Sequence, residues 1–316
     1  MPLPKRISIV EVGPREGCQF EGIGDPQKIS TDAKVKLINA LAATGVKAIQ
    51  MVSFVSPKQV PQMADAEAVC AAITPRAGVT YSGIYLNDAG LKRSMQAGVV
   101  EVSGKLAFTA SEAFLMRNQR RTHAEDGEMQ RKIAAIYLAA DIPVTNATIM
   151  AAFGCNFEGE IPLSRVLAYI AELQDIAEGE LQVINLADTM GWADPEMIRR
   201  TVGEVQARWP DLRVALHLHD TRAMAIANVY AAMLEGVADF DTAVGGLGGC
   251  PFAGIQGAAG NVCTEEVVFL CRQLGVETGI DLAAMVECAR MAQEIVGHPL
   301  PSKMINASLD LPVGSA

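Results

Sequence analysis

The chain carries four histidines, and two of them stand one residue apart in the stretch HLHD, residues 217–220. Side chains at i and i+2 of a strand share a face, so on a strand His217 and His219 would point the same way. Two converging imidazoles make a good nitrogen pair for a divalent metal. The alternative is a pair of buried neutral histidines, each donating one hydrogen bond. A carboxylate and an amide oxygen from neighbouring segments would complete a mixed oxygen and nitrogen site. Such a set suits Mg²⁺ or Mn²⁺ better than Zn²⁺, which favours nitrogen and thiolate ligands in a tetrahedron.

Other reactive residue types recur just after β-like runs. Arg15 and Glu16 follow the first run, Gln50 and Ser53 close the second, and Asn87 and Asp88 follow the third. Asp188 and Thr189 end the sixth run, and the seventh ends in the HLHD stretch. The eighth is followed by GGLGGCPFAGIQGAAG, with seven glycines in sixteen residues, then by Asn261. Glycine permits left-handed backbone and close approach to a ligand, so this segment reads as a lid carrying the Cys250 thiol. A flexible surface loop is the alternative. For Asp188 and Asp220 the alternative is a helix cap.

These positions require strands that end at one rim. Short β-branched runs at 7–12, 47–54, 79–86, 99–104, 144–151, 181–188, 213–220 and 240–246 alternate with helical stretches. In the latter, apolar residues recur at three and four, as in Val35, Ile38, Leu41 and Ala42. Eight such units predict a (β/α)₈ barrel, whose catalytic groups sit at the C-terminal strand ends. A ninth helix is expected at 281–296. The segment after the first strand, GPREGCQFEG, lacks the GxGxxG spacing of a doubly wound nucleotide-binding sheet. One domain is expected over 1–316, with the barrel at about 5–275 and a C-terminal helical extension at about 276–316.

A net charge of −10 without a basic block argues against nucleic acid but leaves room for an anionic small substrate. Seven scattered cysteines, with no CxxC pair, suggest a reducing cytoplasm. No apolar stretch approaches the ~20 residues of a membrane span. The first ten residues, MPLPKRISIV, lead straight into a strand-like run and do not read as a signal peptide.

Taken together, VEVGPREGCQFE, SFVSPKQVPQM, GCNFEGEI, LADTMGW, HLHDTRAMAIAN, VGGLGGCPFA and GNVCTEEVV resemble the hydroxymethylglutaryl-CoA lyase family over nearly the whole chain. The resemblance implies a (β/α)₈ barrel, a divalent cation and an oligomer, often a dimer. It implies cleavage of hydroxymethylglutaryl-CoA to acetyl-CoA and acetoacetate. His217, His219 and Asn261 match the family's metal ligands, with Glu16 at the carboxylate position. Arg15 matches the arginine that steadies enolate charge, Cys250 the lid cysteine, and Asp188 a residue that helps position substrate.

The chain also departs from the family. GPRDG reads GPREG, so the usual aspartate is Glu16; a strand-two glutamate is Gln50; and HDTYGQALAN becomes HDTRAMAIAN, with Arg222 at the start of a helix. These changes, with Ser53 and Asn87, are expected to face substrate. They predict that Glu16 still ligates an ion displaced towards the histidines, and that hydroxymethylglutaryl-CoA is cleaved poorly. Arg222 reads as a partner for a substrate carboxylate or as an exposed surface charge. A lyase acting on a 3-hydroxyacyl-CoA is the leading expectation. The alternatives are a retro-aldol or Claisen-type lyase on another branched hydroxy or oxo acid, and a binder without chemistry.

Overall fold

Strands β1 (Ser8–Glu11), β2 (Ala48–Ser53), β3 (Thr80–Ile84), β4 (Gly104–Thr109) and β5 (Val144–Met150) form the first five staves. A short antiparallel hairpin of β6 (Gly154–Cys155) and β7 (Gly159–Glu160) interrupts them. Then come β8 (Val183–Asp188), β9 (Arg213–Leu218) and β10 (Asp239–Thr242). The computed structural model describes residues 2–25, 27–249 and 260–307.

The eight long strands pair in parallel in the order β3-β2-β1-β10-β9-β8-β5-β4. Chain-order neighbours sit side by side, save that β3 and β4 share no ladder, and the last strand, β10, pairs with the first. That pairing rolls the sheet into a barrel. On the remaining seam, Glu101 N donates to Tyr81 O at 2.7 Å, and the Tyr85 hydroxyl donates to Ser103 O. The fold is therefore the (β/α)₈ barrel expected from the alternation.

The strand boundaries agree with the sequence reading to within two residues except at the fourth and the eighth; in the expected 240–246 run the strand stops at Thr242, and Val244–Gly246 form a turn. The run at 99–104 precedes β4 instead of forming it, and the strand begins at Gly104. Residues 99–103 make only isolated hydrogen bonds across the seam, whereas 104–109 keep a ladder with β5.

Helices follow the strands. Helix α1 (Gly13–Glu21) and α2 (Thr31–Ala43) lie between β1 and β2, and α3 (Ala66–Ala72) and α4 (Asp88–Gln96) flank β3. After β4 come α5 (Glu112–Gln119) and α6 (His123–Ala139). Then follow α7 (Leu163–Ile176), α8 (Pro195–Arg208), α9 (Ala225–Leu234), α10 (Thr264–Leu274) and α11 (Leu282–Val296). Their starts have chemical causes. Ser30 and Ser111 each accept a backbone N–H of the first turn, and Thr122 and Glu125 form a reciprocal capping box. Asp194 caps α8 just ahead of Pro195, whose missing N–H costs nothing there.

The core is continuous around the barrel. Leu37, Leu41, Ile49, Phe108, Ile149, Leu186, Leu216 and Phe240 are at most 1% exposed. Each such side chain contributes roughly 1.5–3 kcal/mol of transfer free energy. The expected C-terminal helix is α11, which packs against α2, α10 and the turn at Val244–Gly246. It thus buttresses the root of the glycine-rich segment.

Candidate active site

At the C-terminal rim of β1, the chain turns directly into α1. Its first turn carries Arg15 and Glu16. Gly13 and Pro14 suit the tight entry, since a Cβ on residue 13 would meet Glu11 Oε1 at 2.7 Å. Periodicity does not reveal this short helix, but its position fixes both side chains over the barrel mouth.

His217 on β9 and His219 just beyond it face the same point. His217 Nε2 lies 3.2 Å from His219 Nε2, and His219 Nε2 lies 3.0 Å from Glu16 Oε1. Glu16 Oε2 is 3.5 Å from His217 Nε2. Among the described residues these three form the one cluster of potential ligand atoms, all within 4.8 Å of one another. The sequence placed them together, and the structure does so across 200 residues of chain.

Asn261 comes alongside through backbone pairing, as a bridge partner of His219, and Val262 N donates to Leu218 O. Its side chain is fully buried, and neither amide atom has a partner among the described residues. A Cβ on Gly248, which sits at φ +108°, would meet Asn261 Nδ2 at 3.0 Å and Glu16 Cγ at 3.2 Å. The bare glycine therefore lets both side chains crowd one spot. An unsatisfied buried amide is costly, and two imidazole nitrogens held face to face have at most a proton to share. Both features suit a cation held by Glu16, His217, His219 and Asn261.

Two residues that the sequence reading missed support this set. Asp241 Oδ2 accepts from His217 Nδ1 at 3.1 Å and from Asn185 Nδ2 at 2.8 Å. Asn185 on β8 reaches Asp241 on β10 past the intervening β9. The available signal was a polar residue inside an apolar strand, in VINLAD and again in FDT.

The charges are strongly coupled. Burial alone would raise the Glu16 carboxyl, but the His217 and Arg15 charges and the imidazole hydrogen bonds hold it well below the usual carboxylate range. Burial would lower His217, yet the Glu16 charge and the Asp241 contact push it up to about 10.

Arg15 is the second fixed charge. Its Nε donates to Gln50 Oε1 at 2.6 Å and its Nη2 to Glu16 Oε2 at 2.9 Å. Arg15, Glu16, Gln50, both histidines and Asp241 line a cavity of about 350 Å³. Phe20, Ile23, Ile84, Phe114 and Met150 supply its apolar wall.

Four expected substrate contacts fall elsewhere. Asn87 caps α4, its Oδ1 accepting from Gly90 N at 2.9 Å, so its polar end is spent on the helix. Ser53 is buried at the end of β2, outside the cavity lining. Asp188 accepts from Trp192 N at 2.7 Å and Ala193 N at 3.0 Å. It shapes the turn after β8, and burial raises its carboxyl against those two bonds. Arg222 precedes α9 by three residues rather than opening it, and donates to Met190 O at 2.7 Å and Gly191 O at 2.8 Å. Its guanidinium also lies over the Trp192 ring and reaches Asn156 Oδ1. It is neither a free surface charge nor part of the cavity lining, but a clamp on the β8 turn. Cys250 lies outside the described residues.

A family model described as HMGL-like matches residues 6–292. The chain belongs to the HMGL-like family. It is 38% identical to a 3-hydroxy-3-isohexenylglutaryl-CoA/hydroxymethylglutaryl-CoA lyase of Pseudomonas aeruginosa, covering 98% of this chain and 99% of that one. It is 37% identical to an (R)-citramalyl-CoA lyase of Chloroflexus aurantiacus, over 94% of this chain and 93% of the relative. The solved hydroxymethylglutaryl-CoA lyase of Acinetobacter baumannii, in complex with coenzyme A and 3-methylmalate, superposes with a TM-score of 0.86. That pair is 35% identical and covers 98% of each chain. This HMGL-like protein is accordingly a carbon–carbon lyase of the hydroxymethylglutaryl-CoA lyase type. Among its described residues no helix is long and apolar enough to cross a membrane.

Proposed function

We propose that the protein cleaves a 3-hydroxyacyl-CoA between C2 and C3, releasing acetyl-CoA and a carbonyl fragment. Hydroxymethylglutaryl-CoA is the default substrate, with acetoacetate the second product. The observation that carries the reading is the convergence of Glu16, His217 and His219 beside Arg15 in one cavity.

Glu16, His217, His219 and Asn261 would hold a divalent cation, Mg²⁺ or Mn²⁺. When bound, it supplies Lewis-acid polarisation of the substrate hydroxyl and a neighbouring oxygen. Asp241 keeps the proton of His217 on Nδ1 and so presents Nε2 to the site. Arg15, anchored on Gln50 and Glu16, places a permanent positive charge on the wall. There it offsets the charge that develops on the thioester oxygen as C2–C3 breaks. The apolar wall limits water and receives the substituent on C3. The Cys250 thiol is the candidate donor that returns a proton to C2. Asp188 acts through the β8 turn that it holds, and Arg222 through the same turn.

The reading takes the chain as one catalytic domain over 1–316, barrel first and helical extension after it. A cytoplasmic homodimer acting on a CoA thioester, and on neither nucleic acid nor membrane, goes with it.

(R)-Citramalyl-CoA is the second substrate to consider. It shares the tertiary alcohol and the CH₂–CO–S half, and a relative 37% identical is named for it. Acetyl-CoA release should be measured from hydroxymethylglutaryl-CoA, citramalyl-CoA and a longer-chain congener, with Mn²⁺ present. Release from at least one is expected, and their order sets the substrate. Release from none would overturn the reading.

A further inference from the structure

Glu11 closes β1, is fully buried and stands outside the cavity lining. Its carboxylate gathers three segments of chain. Oε1 accepts from Gly13 N at 2.8 Å and from Val244 N at 2.9 Å. Oε2 accepts from Thr264 Oγ1 at 2.5 Å, and that hydroxyl lies 2.6 Å from Thr242 Oγ1. Gly13 opens α1, Val244 opens the turn at the root of the glycine-rich segment, and Thr264 opens α10. Each segment leads to the cation site. Glu16 stands three residues after Gly13, and Asn261 three before Thr264. Gly248, four after Val244, is the bare position that lets Glu16 and Asn261 crowd together. Asn261 takes its register from His219 by backbone pairing, whereas Glu16 arrives on a helix that follows another strand. Glu11 bonds both sides of that gap.

We infer that Glu11 is a positioning residue, which sets the reach of Glu16 towards Asn261 and the two histidines from behind the site. This rests on the cation site proposed above and not on the choice of substrate. A ligand constellation works only when its members are held within about 0.5 Å of the productive geometry by groups that are themselves locked. Glu11 meets that condition, since packing buries it and three donors fix its two oxygens. It also supplies what the helix lacks. Val12, at the start of α1, provides no side-chain cap, so the Gly13 N–H of the first turn is satisfied by Glu11 instead. An apolar residue at position 11 would take the acceptor from two buried N–H groups and a hydroxyl. The entry to α1 and the root of the glycine-rich segment would then part, and Glu16 would move with its helix.

The test is calorimetric titration of the metal-stripped protein with Mn²⁺, beside urea unfolding of the same samples. The native chain is compared with Glu11→Leu, Thr264→Val and Glu11→Gln. Glu11→Leu should bind Mn²⁺ about 10–100-fold more weakly, the usual loss when a group that orients a ligand is removed. Thr264→Val deletes one tie and keeps the shape. It should lose about tenfold, and it carries the test if Glu11→Leu does not fold. Glu11→Gln should stay within about threefold of native, because each donor keeps an acceptor. Its oxygen accepts both N–H groups, and its nitrogen donates to Thr264 Oγ1, which turns its own proton to Thr242. Native Mn²⁺ affinity in Glu11→Leu, or in Thr264→Val where Glu11→Leu does not fold, would overturn the role whatever the loss in urea stability. A loss in Glu11→Gln as large as in Glu11→Leu would also overturn it, since charge rather than position would then govern. A native chain that binds no Mn²⁺ would remove the cation site and this role with it. The predicted order of affinities, with no hydroxyacyl-CoA cleaved, would sink the lyase reading and leave the role of Glu11 standing.

Discussion

His217 Nδ1 lies 3.1 Å from Asp241 Oδ2, and this contact decides which imidazole nitrogen faces Glu16 and His219. Asp241 has no apolar role at that depth, and Asn185 orients it in turn. Removing such an outer partner of a metal-ligating histidine typically costs 10–100-fold in affinity. Asp241→Ala should therefore weaken Mn²⁺ binding by about that factor while His217 and His219 remain. Calorimetric titration with Mn²⁺ reads the change directly. Unaltered affinity would show that Asp241 only fills space.

Arg222 should prove a structural clamp. It donates to two carbonyls of the β8 turn and to Asn156 Oδ1, and its guanidinium lies over the Trp192 ring. Arg222→Ala should cost about 1–3 kcal/mol in denaturant unfolding, since two carbonyls lose a charged donor. The order of preference among hydroxyacyl-CoA substrates should not change. A reversed order would restore Arg222 to the substrate site.

Glu11 predicts a pH dependence of stability. Burial pushes its carboxyl up to about 7, against hydrogen bonds from Thr264, Val244 and Gly13. Its neighbour Glu265, also raised to about 7 by burial, is held bidentately by Gly245 N. The folded protein thus binds more protons than the unfolded chain above the ordinary value of 4.5. Stability from this group therefore falls as pH rises from 4.5 to about 7, and the loss is complete above that. Glu11→Gln, which mimics the protonated form, removes the dependence. Relative to native, the variant should gain roughly 3 kcal/mol between acid and mildly alkaline pH. Urea melts of both proteins across that range test this, and parallel curves would refute it.

Much of the site was legible because its chemistry depends on alternation along strands. His217 and His219 share a face by pleat geometry alone, and the barrel brings the rim residue Glu16 to them. Asn87 misled because a polar residue after a strand is also what a helix cap requires, and Gly90 N claims it. Arg222 misled because its acceptors are backbone carbonyls of a distant turn, which sequence spacing cannot display. The fourth strand slipped because two adjacent runs, 99–103 and 104–109, both have strand composition. Only the second finds a continuous partner in β5. Helix α1 escaped because two glycines and a proline in nine residues hide a helical period.

The most direct measurement is acetyl-CoA release by the protein after chelation, before and after Mn²⁺ or Mg²⁺ is returned, for the native chain, His217→Ala and His219→Ala. The account predicts that the stripped native protein is inactive and recovers with either ion. Neither variant should recover or retain tight metal binding, although both keep the native circular-dichroism spectrum. Turnover by the stripped protein at the undiminished rate, or full recovery by both variants, would contradict it.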